Sequence, residues 1–145
     1  KSEVKSPPKL ERIDDSAFKG STMPQIDFSS AESLHGIGSS AFANCKIENA
    51  VKFSSALDEI SQKAFAGSRM QQLDFSAAKS LRSIGEEAFK RCEVEEEVKF
   101  PPNLACIRKG AFAESHMTSV DLSMCQQLKR IEEGAFASCI CHQSI

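Results

Sequence analysis

The skeleton Leu-x-x-Ile-x-x-x-Ala-Phe occurs six times in this chain, at residues 10–18, 34–42, 57–65, 81–89, 104–112 and 128–136. Its closing residues, Phe18, Phe42, Phe65, Phe89, Phe112 and Phe136, step by 24, 23, 24, 23 and 24 residues. A unit this short cannot bury its own apolar side. It must stack on the units before and after it, and self-similarity at such a period is the mark of a solenoid. The reading is a single array over residues 1–145: a partial repeat at 1–9, full repeats at 10–33, 34–56, 57–80, 81–103 and 104–127, and an incomplete repeat at 128–145.

Two unit types alternate. The long one reads Leu57-x-x-Ile60-x-x-x-Ala64-Phe65-x-x-Ser68-x-Met70-x-x-Leu73-Asp74-Phe75-Ser76. The short one reads Leu81-x-x-Ile84-Gly85-x-x-Ala88-Phe89-x-x-Cys92-x-Val94-x-x-x-Val98-Lys99-Phe100. All ten Phe residues fall on two repeat positions, so they read as stacked core ladders rather than as a ligand pocket. Val4, Val51, Val98 and Ile145 are each separated by 47 residues, so both ends of the chain fall on the same strand register.

Secondary structure follows from period and punctuation. Ile26-Asp27-Phe28, Val51-Lys52-Phe53, Leu73-Asp74-Phe75, Val98-Lys99-Phe100 and Val120-Asp121-Leu122 alternate apolar and polar. Such alternation marks a short strand with one buried face. Each strand needs a parallel partner one repeat away, which predicts one parallel sheet of short strands centred on Asp27, Lys52, Asp74, Lys99 and Asp121. The return side is expected to hold turns and 3-10 pieces, with little or no α-helix.

Composition narrows the chemistry. The chain has 18 basic and 20 acidic residues, a net charge of −2, and no field to attract nucleic acid or acidic lipid. No apolar run reaches membrane-spanning length, and Lys1-Ser2-Glu3-Val4-Lys5 is not a signal peptide. No Gly-rich phosphate loop or nucleophile elbow is present, and His35, His116 and His142 occupy unrelated registers. No enzyme activity, cofactor or metal is expected. Cys139-Ile140-Cys141-His142 lacks a second pair at zinc spacing. Cys45, Cys92 and Cys139 share one register in alternate repeats, roughly 10 Å apart at a strand spacing of ~4.8 Å, beyond disulfide reach. They read as reduced, buried thiols. The run Glu93-Val94-Glu95-Glu96-Glu97 reads as a solvated lead-in to a strand.

The clearest surface pattern is a charge column. The central outward residues of successive strands are Lys5, Asp27, Lys52, Asp74, Lys99 and Asp121, alternating in sign throughout. Gln25, Gln72, Ser29, Ser54, Ser76 and Ser123 flank them. The structural reading, favoured here, is that opposite charges side by side fix the register and neutralise the face, at roughly 0.2–1 kcal/mol per pair. The functional reading is a partner-binding face made of Gln25, Asp27, Ser29, Lys52, Ser54, Gln72, Asp74, Ser76, Lys99, Asp121 and Ser123.

Met70-x-x-Leu73-x-Phe75 followed by Leu81-x-x-Ile84-Gly85-x-x-Ala88-Phe89-x-x-Cys92 resembles the BspA-like class of leucine-rich repeats. The match recurs six times. Gly after the Ile is kept at Gly38 and Gly85 only, and Ser21, Ser68 and Ser115 stand where the class has its corner Cys. The resemblance implies a curved leucine-rich-repeat solenoid with strands on the concave side. It also implies a non-catalytic role in binding a protein or glycan, within a cell-surface, secreted or adhesion-type protein. The expected form is a monomer that neither enters membranes nor binds nucleic acid. Two other readings stay open: a structural spacer whose functional site lies elsewhere in a longer chain, and an intracellular regulatory repeat domain, which six Cys without a disulfide pattern permit.

Overall fold

The computed structural model describes residues 4–141, with side chains described from Ser6 onward; His142 and Ile145, both singled out above, lie outside the described residues. The chain winds as a parallel β-solenoid without helix among the described residues. One coil shows the rule. Glu59–Ile60, Arg69–Met70 and Gln72–Asp74 are three short strands separated by a corner and a single kink residue, Gln71. Ile60, Met70 and Leu73 point inward and are buried, while Glu59 and Arg69 point out.

Each strand pairs in parallel with its counterpart one coil away. Val4–Lys5, Ile26–Asp27, Ala50–Lys52, Gln72–Asp74 and Val98–Lys99 form the five-stranded ladder expected from the sequence. The return side is more ordered than expected. Thr22–Met23, Lys46–Ile47, Arg69–Met70, Glu93–Val94, His116–Met117 and Ile140–Cys141 form a six-stranded ladder, and two three-stranded ladders follow the Leu-x-x-Ile positions. The Glu run is thus partly strand, since Glu93–Val94 sits inside the six-stranded ladder.

The expected 3-10 pieces are replaced by a corner of another kind. Every corner carries two residues with positive φ, one two residues before the Phe and one two residues after it: Ser40 and Asn44 flank Phe42, and Glu87 and Arg91 flank Phe89. These left-handed residues break any right-handed run and turn alternate N–H groups toward the next coil. The N–H groups of Phe18, Phe42, Phe65, Phe89 and Phe112 donate to the carbonyls of Ala41, Ala64, Ala88, Ala111 and Ala135 at 2.7–2.8 Å. The corner is therefore a further inter-coil ladder, built from turns.

Val120-Asp121-Leu122 is the exception among the expected strands. It is not paired to Val98–Lys99 and is no strand. The five-stranded ladder ends at Val98–Lys99, and no described segment lies on the outer side of Val120-Asp121-Leu122. Val120 is still buried, but Ile131 and Ile140 of the following, final coil are 51% and 49% exposed.

The core follows the two Phe registers. Phe18, Phe42, Phe65, Phe89, Phe112 and Phe136 form one continuous stack, with ring centroids 5.0–5.4 Å apart and planes within 5–11° of parallel. Phe53, Phe75 and Phe100 meet this stack edge-on at 5.6–5.9 Å. Both geometries suit the ring quadrupole. Gly85 is needed for closeness: a Cβ there would lie 2.2 Å from the Ile60 carbonyl oxygen. Gly38 likewise lies against the backbone of Asp14 and Asp15, which explains why the short units keep this glycine.

Phe65 has neighbours on both sides of the stack and is fully buried, whereas Phe18 at the first coil is half-buried. Phe65→Ala is expected to lose ~3–5 kcal/mol, and Phe18→Ala clearly less. Urea unfolding of the two variants checks the order; equal losses would contradict a stack that is weakest at its end.

Candidate functional site

The outward face of the five-stranded ladder holds most of the residues expected from the sequence. The pairing sets Lys5 beside Asp27, Asp27 beside Lys52, Lys52 beside Asp74, and Asp74 beside Lys99. Gln72 lies one column over, opposite Ala50, and Gln25 immediately precedes the strand Ile26–Asp27. Ser29 and Ser76 are exposed just beyond their strands. Asp121 and Ser123 are exposed but stand outside the ladder.

Ser54 does not belong to this face. It is 2% exposed, and its hydroxyl donates to the Ala31 carbonyl at 3.0 Å. The short unit passes from Phe53 to Leu57 in four residues, whereas the long unit takes six from Phe28 to Leu34. The shorter bend tucks Ser54 and the equivalent Pro101 inward, against the wider loop of the neighbouring coil.

The charge column is assembled, but its members do not pair by contact. No ion pair joins Asp27, Lys52, Asp74 and Lys99 to one another among the described residues. Instead Asp27 Oδ1 accepts from the Ser29 N–H at 2.9 Å and its hydroxyl at 2.6 Å. Asp74 with Ser76, and Asp121 with Ser123, repeat this arrangement. A serine two residues on is a local donor that a short aspartate meets at little entropic cost. The Ser29 hydroxyl holds the Asp27 carboxyl below its ordinary value of 3.8, with Lys52 a weaker contributor. Hydrogen bonds from Ser123 lower Asp121 in the same way. Lys99 turns within its own coil to Glu97, at 3.8 Å. The column is thus a row of aspartates pinned by their own turns, alternating with lysines that lack contact partners in it.

Other charges pair elsewhere. Arg69 meets Glu95 at 2.9 Å and Glu93 at 3.8 Å, Gln71 donates to Glu96 at 2.6 Å, and Gln72 to Glu97 at 3.3 Å. No three His, Cys, Asp or Glu side chains gather as a metal set among the described residues. No helix there is long and apolar enough to cross a membrane.

The sequence model of the BspA type leucine rich repeat region matches residues 2–90 and 59–145, in six copies. The chain belongs to this family. Neither the comparison with curated proteins nor that with solved structures returns a match.

Four of the six residues at the BspA-type corner position, Cys45, Ser68, Cys92 and Ser115, donate to a corner Phe carbonyl. The Cys45 thiol donates to the Phe18 carbonyl at 3.1 Å and the Cys92 thiol to the Phe65 carbonyl at 2.9 Å. The hydroxyls of Ser68 and Ser115 donate to the carbonyls of Phe42 and Phe112 at 2.5 and 2.6 Å. At these four positions either serine or cysteine serves as a small buried donor to the corner backbone. Cys45, Cys92 and Cys139 are free thiols, as expected, and burial pushes Cys92 up to about 12. Cys45 and Cys92 are buried, but Cys139 is only partly so, because it lies in the final coil.

Sequence reasoning missed a second concentration of side chains. Lys19, Lys63, Lys90 and Arg91 converge on one groove at the corner. Their signal was present, since each lies within two residues of an Ala-Phe pair, but strand columns alone do not reveal it.

Two outcomes are expected. Asp27 is depressed in the folded state, so its contribution to stability is present above pH 3.8 and drains as pH falls through its lower folded value. Ser29→Ala should therefore destabilise at neutral pH, with the gap to wild type narrowing below pH 3.8. Urea unfolding across pH checks it; a gap independent of pH would show that the hydroxyl does not act through the carboxylate. For the thiols, native alkylation with iodoacetamide should modify the partly exposed Cys106, Cys139 and Cys141 and spare Cys45 and Cys92 until unfolding. Peptide mapping of the alkylated chain reads out the order.

Proposed function

We propose that this chain is a non-catalytic repeat scaffold that docks a protein partner on the outward face of its five-stranded ladder. The observation that supports it is the charge column. Its aspartates are held by serines in their own turns, which leaves Lys52 exposed between two fixed carboxylates, without an ion pair or hydrogen bond from its side chain among the described residues. Lys52 acts on Asp27 only through space and weakly, so its ammonium stays available to a partner. Ladder pairing fixes the spacing of these groups, so little order remains to be imposed when a partner arrives. The partner we envisage carries alternating charge complementary to Asp27, Lys52, Asp74 and Lys99, with Gln25, Gln72, Ser29 and Ser76 as flanking hydrogen-bonders. Asp121 and Ser123 extend the face beyond the ladder.

The family's habit supports placing this scaffold in a larger cell-surface or adhesion-type protein, acting as a monomer. A face without Trp or Tyr lacks the usual anchors, so affinity no tighter than roughly micromolar is expected from this chain.

The test is capture from a cell-surface extract by immobilised wild type and by a column-reversed chain, Asp27→Lys, Lys52→Asp, Asp74→Lys and Lys99→Asp together. A protein held by wild type and lost on reversal is the expected result; the reversed chain is less stable, since it loses the Asp27–Ser29 and Asp74–Ser76 bonds, and a cooperative urea transition shows that it still folds. Identical capture by both chains, or none by either, would favour the spacer reading instead.

A further inference from the structure

The corner opposite the strand columns carries a groove that the docking reading does not use. Its cavity measures about 380 Å³, within the range of small-molecule sites, about 300–1,000 Å³. Four cations, Lys19, Lys63, Lys90 and Arg91, line it with a single carboxylate, Glu87. The chain as a whole has net charge −2, so this local excess runs against the rest of the molecule.

The fold builds the groove. Left-handed residues fix each corner, so successive coils present the same positions in line. The middle coils place Ala43, Ala66 and Gly67 there, a floor of small side chains, and the next coil raises Lys90 and Arg91 as a wall. Gly67 matters for shape: a Cβ on it would lie 2.3 Å from Asn44 Oδ1. The Asn44 carboxamide therefore lies over the space a side chain at residue 67 would fill.

Its charges are only partly spent. Glu87 lies between two lysines, at 3.2 Å from Lys90 and 3.8 Å from Lys63. Arg91 reaches out of the groove to Glu114 at 3.0 Å. Lys19 has no ion pair, and the Ser40 hydroxyl and Asn44 carboxamide have no hydrogen bond, among the described residues. One carboxylate shared by two ammonium groups leaves both under-neutralised toward the cavity. The lining thus offers positive charge, neutral hydrogen-bonding groups and two methyl groups, in a volume suited to a small ligand.

We propose that this corner groove binds a small sugar bearing an oxoanion ester, phosphate or sulfate. The lysines meet the anion, Ser40 and Asn44 meet hydroxyls, and Ala43 and Ala66 meet the apolar face of the ring. Charge-assisted hydrogen bonds are the stronger kind and set the affinity. The remaining surface, net negative and rich in glutamate around residues 93–97, disfavours a long polyanion such as nucleic acid.

The test is titration calorimetry of the whole chain at low salt with glucose 6-phosphate, glucose 6-sulfate and unsubstituted glucose. We expect both esters to bind and glucose not to, with binding weakened by added salt. The double variant Lys19→Ala/Lys63→Ala should bind the esters at least about tenfold more weakly. Lys19→Arg/Lys63→Arg should keep binding, as should Lys52→Ala on the strand face, and urea midpoints show that all variants fold. The ester source is separated by pH. The second phosphate ionisation lies near pH ~6, so phosphate-ester binding should strengthen from pH 5.5 to 7.5 while sulfate-ester binding stays level. No ester binding at about 10 mM, equal binding of plain glucose, or affinity unchanged in the alanine double variant would each overturn the proposal. Because Lys52 plays no part here, failure of this site leaves the protein-docking reading untouched, and the reverse also holds.

Discussion

The structure depends on corner backbone groups that no coil can satisfy alone. The N–H of Phe42 is buried beside its ring and bonds to Ala64 of the next coil at 2.7 Å; Phe65 does the same to Ala88, and Phe89 to Ala111. A buried N–H left unpaired costs ~1–3 kcal/mol, so covering a corner without presenting matching carbonyls would carry several such penalties. Stacking removes them together with the exposure of the rings. Hydrogen bonding and apolar burial therefore reward the same event, the arrival of the next coil. The stability of such an array is a sum of neighbour terms.

The same constraint explains which residues the corner tolerates. Aiming alternate N–H groups at the next coil requires left-handed backbone twice per corner, and most of those positions here are not glycine: Ser16, Ser40, Lys63 and Glu87 at one, Asn44, Arg91, Glu114 and Ser138 at the other. Left-handed backbone costs such residues roughly 1–2 kcal/mol. The inter-coil bonds offset that strain, and the freedom not to use glycine lets the corner carry long charged side chains. The cationic groove is a product of that freedom. A corner of glycines would have folded but would have displayed nothing.

On the strand face, alternation of unit type sets the chemistry. Long units end in Asp-x-Ser and bend widely; short units end in Lys and bend tightly. The wide bend brings the Ser29 and Ser76 donors to the carboxylates of their own coils, and the tight bend buries Ser54. Lysines and aspartates therefore stand in register without closing on each other. Face and groove lie on different sides of each coil, separated by a packed core of phenylalanine.

Much of this was legible in the residues. The period of 23 or 24 specified a solenoid, the two Phe registers specified the core, and the alternation around Asp27, Lys52, Asp74 and Lys99 specified strands and their register. These are properties that one coil imposes on the next through a repeated pattern, so they survive in one dimension. The tertiary structure alone decided the rest. Whether Ser54 faced solvent depended on the width of a neighbouring bend, and whether Asp74 turned to Ser76 or Lys99 depended on which donor came within 3 Å. Lys19, Lys63, Lys90 and Arg91 are up to 72 residues apart in sequence and meet only because four coils stack in line. A repeat pattern states what recurs at each position; distances between side chains of different coils appear only once those coils are packed.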